Sequence, residues 1–161
     1  MKRIAVAVLM GSDSDMQVME RTTKMLDRFG IANDAFVLSA HRSPKRTREF
    51  ARAARSRGIR VIIAGAGMAA HLPGVVASET TLPVIGVPLS RSALGGLDSL
   101  HSIVQMPSGV PVATMAIGEA GATNAAILAA EILALGDKKL QRRLEAYKRT
   151  LARQSAGSRV R

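Results

Sequence analysis

The chain has 161 residues, enough for one domain, and 47% of them are apolar while only 2% are aromatic, so a core of Val, Ile, Leu, Ala and Met is expected. It contains no cysteine, which excludes disulfides, thiolate nucleophiles and Cys-ligated zinc and fits a cytoplasmic location. The formal net charge is +11; with almost no aromatic side chains to stack bases, the basic residues read as solvated helix faces rather than a nucleic-acid surface, and no apolar run of membrane-spanning length is free of charges or Gly/Pro breaks.

Arg3–Met10 is a nearly unbroken apolar run, the pattern of a strand buried on both faces of a parallel sheet. The turn Gly11-Ser12-Asp13-Ser14-Asp15 follows, and then Val18, Thr22, Met25, Leu26 and Phe29 recur at helical spacing up to Gly30. Ile31–Leu38 is a less apolar strand, nearer an edge. After the loop Ser39–Pro44 comes a helix over Arg46–Arg57, closed by Gly58. Ile59–Ala64 is predicted as the third strand, Gly65-Ala66-Gly67-Met68 as its loop, and Ala69–Ser78 as a short helix interrupted near Pro73-Gly74. Leu82–Val87 is a fourth strand, Pro88–Gly96 a loop, Leu97–Gln105 a short helix, and Val110–Ala116 a fifth strand. An Ala-rich helix over Ala120–Leu135 and a last helix from Asp137 complete the pattern.

Strands alternating with helices imply an α/β fold with an open, doubly wound parallel sheet. The flavodoxin-like strand order 2-1-3-4-5 is expected, making a three-layer sandwich with an additional C-terminal helix. One catalytic domain spans residues 1–153, followed by a polar tail, 154–161, expected to be mobile. In such sheets ligands bind at the carboxyl ends of the strands, where strand order reverses. The helix near Asn124–Leu135 is apolar on nearly every side, and Leu140, Leu144, Tyr147 and Leu151 form a stripe on the last helix. Such surfaces either pack on the chain's own sheet or meet a second copy; a homo-oligomer is the expectation.

The chemistry-bearing residues fall on the strand-end loops. The Gly11–Asp15 turn offers hydroxyls and backbone N–H groups to a phosphate and an acid to ribose hydroxyls, or simple helix caps. His41 beside Arg42, in the loop that Ser39 opens, sets a proton carrier next to an anion clamp. Gly65 and Gly67 permit close backbone approach to a ligand, and His71 is expected just inside the next helix. His101 reads as packing or surface. The three histidines lack metal-ligand spacing, and no Gly-x-Ser-x-Gly elbow is present.

Taken together, Gly11-Ser12-x-Ser14-Asp15, Ser39-Ala40-His41-Arg42, Ala64-Gly65-Ala66-Gly67 and Ala69-Ala70-His71-Leu72-Pro73-Gly74 resemble the PurE family of N5-carboxyaminoimidazole ribonucleotide mutases. The resemblance continues through Pro83–Pro88, Asp98-Ser99-Leu100, Ser102–Pro107 and Asn124-Ala125-Ala126, in order over roughly residues 4–135. It implies a flavodoxin-like subunit in an octamer that converts N5-carboxyaminoimidazole ribonucleotide to 4-carboxyaminoimidazole ribonucleotide without metal, ATP or organic cofactor. It also implies that His41 is the acid/base, that Ser12, Asp15 and Arg42 hold the ribose phosphate, and that His71 lines the pocket with Ser39, Gly67, Met68 and Leu72. Met68 departs from the family pattern, which usually has Gly there; a left-handed backbone at that point would strain it. Transfer of a carboxylate through CO₂ further calls for a small apolar site closed to water, with Ala66, Ala69, Ala70 and Leu72 as candidate walls. The related CO₂-dependent carboxylase and a basic nucleic-acid-binding module are the alternatives.

Overall fold

The computed structural model describes residues 4–155 of the chain. Its strands are β1 (Val6–Met10), β2 (Asn33–Val37), β3 (Val61–Gly67), β4 (Val84–Leu89) and β5 (Ala113–Thr114). All pair in parallel, in the order β2-β1-β3-β4-β5, as expected. The helices are α1 (Met16–Arg28), α2 (Pro44–Ala54), α3 (Leu72–Ser78), α4 (Leu97–Val104), α5 (Glu119–Ala134) and α6 (Lys138–Ser155). Among the described residues, no helix is long and apolar enough to cross a membrane.

Period-two alternation along the buried strands sorts the core into two halves. On one face Val6, Val8, Met10, Val61, Ile63, Ile85 and Val87 meet α1, α5 and α6. On the other Ala7, Leu9, Ile62, Ala64, Ala66 and Val84 meet Phe50 and Ala51 of α2, Val76 of α3 and Ile103 of α4. The aliphatic core is closed at its rims by the few aromatics: Phe29 meets Tyr147 edge-on with centroids 5.4 Å apart, and Phe36 meets Phe50 at 4.9 Å.

The apolar character of α5 is explained within the chain. Gly121, Ala122, Ala125 and Ala129 are buried, and Thr22 of α1 donates a hydrogen bond to the Ala122 carbonyl at 2.8 Å. Small side chains let the two helices approach closely while the opposite flank of α5 receives α6 through Leu140 and Leu144. Most of both stripes is therefore covered by the chain's own elements, while Leu135 and Leu151 at their ends stay exposed. Helix α6 also continues through Ser155, past the expected tail boundary at Gln154; residues 156–161 of that tail lie outside the described residues.

Three segments differ from expectation by more than a shift of two or three residues at their ends. Strand β3 continues through Gly65, Ala66 and Gly67, which pair with Val87, Pro88 and Leu89; there the glycines are strand residues, and a Cβ at Gly65 would stand 2.4 Å from the Met19 sulfur. The Val110–Ala116 run contributes only the two-residue β5, pairing with Ile85 and Gly86 at the sheet edge. Helix α3 begins at Leu72 with Pro73 in its first turn, where its missing N–H is harmless, so Pro73 starts the helix instead of interrupting it.

Helices α2 and α3 lie side by side on one layer. Glu79, at the end of α3 and mostly shielded, accepts the Nε of Arg52 at 2.7 Å and pairs with Arg48 at 3.5 Å, both from α2.

Candidate active site

The chain passes from β1 outward to β2 and then crosses back to β3, so strand order reverses between β1 and β3. The loops after β1, β2, β3 and β4 converge there on a cavity of about 590 Å³. Of the residues expected at the site from the sequence, Ser12, Asp15, Ser39, His41, Arg42, Gly67, Met68, His71 and Leu72 line it, whereas Gly65, packed against Met19, does not. Ser14, Ala66, Ala69 and Arg91 also line it, whereas Ala70, expected as a wall, is buried in the core.

The loop after β1 forms a single 3-10 turn, Asp13–Asp15, before α1. Neither Ser12 nor Asp15 makes a side-chain cap hydrogen bond, so capping does not consume these groups. Ser12 Oγ instead accepts from Ser14 Oγ at 3.0 Å. Two guanidinium groups grip this turn: Arg42 donates to the Gly11 carbonyl at 2.7 Å and Arg91 to the Ser14 carbonyl. Hydroxyls flanked by two fixed cations suit a phosphate monoester.

Asp15 lies beneath this cradle, only 7% exposed. Burial raises its carboxyl above the usual range, opposed by Arg91, by hydrogen bonds from the backbone of Ser12 and Gly11, and by Arg42. The loop after β2 is braced internally. Ser39 Oγ accepts the backbone N–H of Arg42 at 3.1 Å, and Ser39's own N–H donates to Ser43 Oγ at 3.1 Å. Ser39 thus shapes the loop that presents His41 and Arg42.

His41 reaches across to the loop after β3. Its Nε2 lies 2.7 Å from Nδ1 of His71, with the rings edge-on at 84°. That contact requires a proton on one of the two facing nitrogens and a lone pair on the other. The pair holds one proton between two rings at the cavity mouth, an arrangement fit for acid/base work. His71 stands at the cap position before α3, one residue outside the helix in which it was expected. His101 is exposed on α4 and does not line the cavity.

Met68 has φ 56°, the one non-glycine in the left-handed region among the described residues. The strain anticipated from the sequence is therefore present, at about 1 kcal/mol or more. Its side chain is 61% exposed at the cavity rim. His41, Arg42 and His71 are exposed too, so the closed pocket expected from the chemistry is open in the single chain.

Arg91 escaped the sequence reading, which treated Pro88–Gly96 only as a loop. The available signal was its position: it is the basic residue in the loop that leaves β4 on the edge where the other site loops gather. Among the described residues no three His, Cys, Asp or Glu side chains converge as a metal-ligand set.

Residues 5–154 match the family model described as AIR carboxylase. The chain is 56% identical over 149 residues to the N5-carboxyaminoimidazole ribonucleotide mutase of Thermotoga maritima, covering 92% of this chain and 86% of the relative. It is 54% identical over 143 residues to the protein of the same name from Vibrio vulnificus, covering 89% of each. The crystal structure of Treponema denticola PurE superposes with a TM-score of 0.84 at 29% identity, covering 92% of both chains.

Proposed function

The chain belongs to the AIR carboxylase family, and from that premise we propose that it is the mutase of purine biosynthesis that converts N5-carboxyaminoimidazole ribonucleotide to 4-carboxyaminoimidazole ribonucleotide. The observation that carries this reading, beside the relatives at more than half identity, is the His41–His71 pair facing an arginine-flanked hydroxyl cradle across one cavity.

The reaction is an isomerisation and balances without an oxidant, a reductant or an energy donor. Protonated His41 gives its proton to the exocyclic nitrogen as the N–C bond of the carbamate breaks and CO₂ forms. The ring C4 then attacks the CO₂ carbon, and the proton displaced from C4 returns to His41. One imidazole serves as acid and then as base, and no proton is gained or lost overall. His71 receives or supplies the hydrogen bond that aims the His41 ring. Arg42, Ser12 and Ser14 take the phosphate, with Arg91 on its far side, and Asp15 takes a polar group of the sugar. This remote binding energy fixes the heterocycle against His41.

Supplied with N5-carboxyaminoimidazole ribonucleotide, the purified protein yields 4-carboxyaminoimidazole ribonucleotide. The His41→Asn variant loses about 100-fold or more of the rate while still binding nucleotide in calorimetry; retained turnover would remove His41 from the role. The family description favours a second reading, carboxylation of aminoimidazole ribonucleotide by CO₂. Turnover of that nucleotide with bicarbonate, and none of the carbamate, would select it.

The same reading makes the protein a cytoplasmic homo-oligomer, an octamer, that needs neither metal nor organic cofactor. Support for assembly comes from the open cavity mouth and from exposed apolar residues, Met68 at its rim and Leu94 and Leu97 in and just after the loop that carries Arg91. A reaction that passes through CO₂ needs that mouth covered.

A further inference from the structure

Resting on the mutase reading, we propose that Asp98 is a positioning residue that holds Arg91 at the phosphate end of the cavity. Arg91 lies in the loop between β4 and α4, and its guanidinium crosses from there to the Ser14 carbonyl. The backbone around it has little else to fix it. Ala93, Leu94 and Gly95 are exposed, and Gly95 and Gly96 are both left-handed, at φ 62° and 94°. A Cβ on Gly95 would meet nothing within 4 Å. Such a segment samples many conformations unless something pins it.

The pin is local and polar. Asp98 is half-buried and makes no ion pair among the described residues. Its Oδ1 instead accepts the Ser92 hydroxyl at 2.7 Å and the Ser99 N–H at 2.9 Å. Ser92 Oγ in turn accepts the Leu94 N–H at 3.2 Å. At the base of the loop the buried Ser99 hydroxyl donates to the carbonyls of Leu89 and Gly96, at 2.9 and 2.8 Å. Ser99 therefore joins the ends of the loop, while Asp98 reaches its middle and fixes Ser92, the neighbour of Arg91.

A hydroxyl bonded to a carboxylate is a strong, charge-assisted contact. Helix capping does not account for it, because the cap residue of α4 is Gly96 and Ser92 lies outside the helix. Consecutive Cα atoms stand about 3.8 Å apart, so a displacement of Ser92 passes directly to Arg91. Asp98 itself does not line the cavity; it acts through the guanidinium. Arg91 held in this way meets the nucleotide's charged end without the cost of ordering the loop on binding.

The test uses the whole protein. KM and kcat are read with N5-carboxyaminoimidazole ribonucleotide, and calorimetry gives the Kd of 4-carboxyaminoimidazole ribonucleotide. Arg91→Ala, Asp98→Ala and Ser92→Ala are each expected to raise KM and Kd about tenfold, the loss of one charge-assisted contact. Their kcat is expected to stay within about threefold of wild type. Asp98→Asn keeps an acceptor oxygen for both hydrogen bonds and is expected within about threefold of the wild-type Kd. Adding Asp98→Ala to Arg91→Ala is expected to cost nothing further, since both act through one guanidinium. Additive losses in the double variant overturn the proposal, and so does a wild-type Kd in Asp98→Ala or in Ser92→Ala. If Asp98→Ala does not fold, Ser92→Ala, alone and combined with Arg91→Ala, decides in its place. Wild-type protein that binds 4-carboxyaminoimidazole ribonucleotide but turns over none of the carbamate defeats the mutase reading alone, and the Kd values still judge Asp98.

Discussion

Asp15 shows how a residue lining the cavity strains the fold that holds it. Burial pushes its carboxyl upward despite Arg91, the two backbone donors and Arg42, so the ionised form is less favourable in the native state than in the unfolded chain. The resulting loss of stability is present at neutral pH and disappears as pH falls through the raised native value toward the ordinary carboxylate range. Asp15→Asn is therefore expected to melt above wild type at neutral pH, with the gap closing on acidification; a gap that widens in acid contradicts this. The same variant binds nucleotide more weakly if the carboxylate takes a sugar hydroxyl. Residues of this kind were legible because they sit in short polar motifs, as His41, Arg42 and Asp15 do. Arg91 was not, because no neighbouring residue distinguishes it within Pro88–Gly96; only the topology, by bringing that loop beside Ser14, makes it part of the site.

At the scale of elements, the glycine positions in β3 and β4 are where local preference and tertiary packing part company. Gly65 is required by Met19, which is fully buried and whose sulfur would meet an added Cβ at 2.4 Å. Gly65→Ala is expected to lower stability by about 1–3 kcal/mol through overpacking, read as a lower urea midpoint at unchanged slope; a wild-type midpoint would mean that Met19 relocates freely. The same packing explains why Gly65-Ala66-Gly67 reads as a loop from sequence yet pairs as strand. Glycine is disfavoured in strands locally, but at Gly65 the neighbouring helix leaves no room for anything larger, whereas a Cβ at Gly67 would meet only ordinary contacts at 3.5 Å and beyond. The reverse holds for Val110–Ala116, whose apolar pattern promises a full strand. At the sheet edge only Ala113 and Thr114 pair as strand, with the Met115 N–H donating to the Gly86 carbonyl at 2.9 Å. The doubly wound class was accessible because apolar runs alternate with helices along the chain; the strand order follows from the flavodoxin-like pattern, because such runs alone do not fix which strands pair.

For the whole molecule, the decisive feature is that a single copy leaves its reactive corner open. Leu94 and Leu97, in and just after the loop that carries Arg91, are 63% and 55% exposed. In sedimentation velocity the protein is expected to run as an oligomer, and Leu97→Glu is expected to reduce both its size and its turnover. A monomer with full activity would rule assembly out as the cover. The stripes of α5 and α6 pack largely within the chain, Leu135 and Leu151 aside, so the open cavity is the main ground for this expectation. The pairing of Glu79 with Arg48 and Arg52 adds a mechanical consequence. Helices α2 and α3 begin just after His41 and His71 and are tied together toward their far ends, like the arms of a pair of tweezers. A small pivot about that tie would become a larger displacement at the tips, so this ion pair is expected to bear on the gap between the two imidazoles.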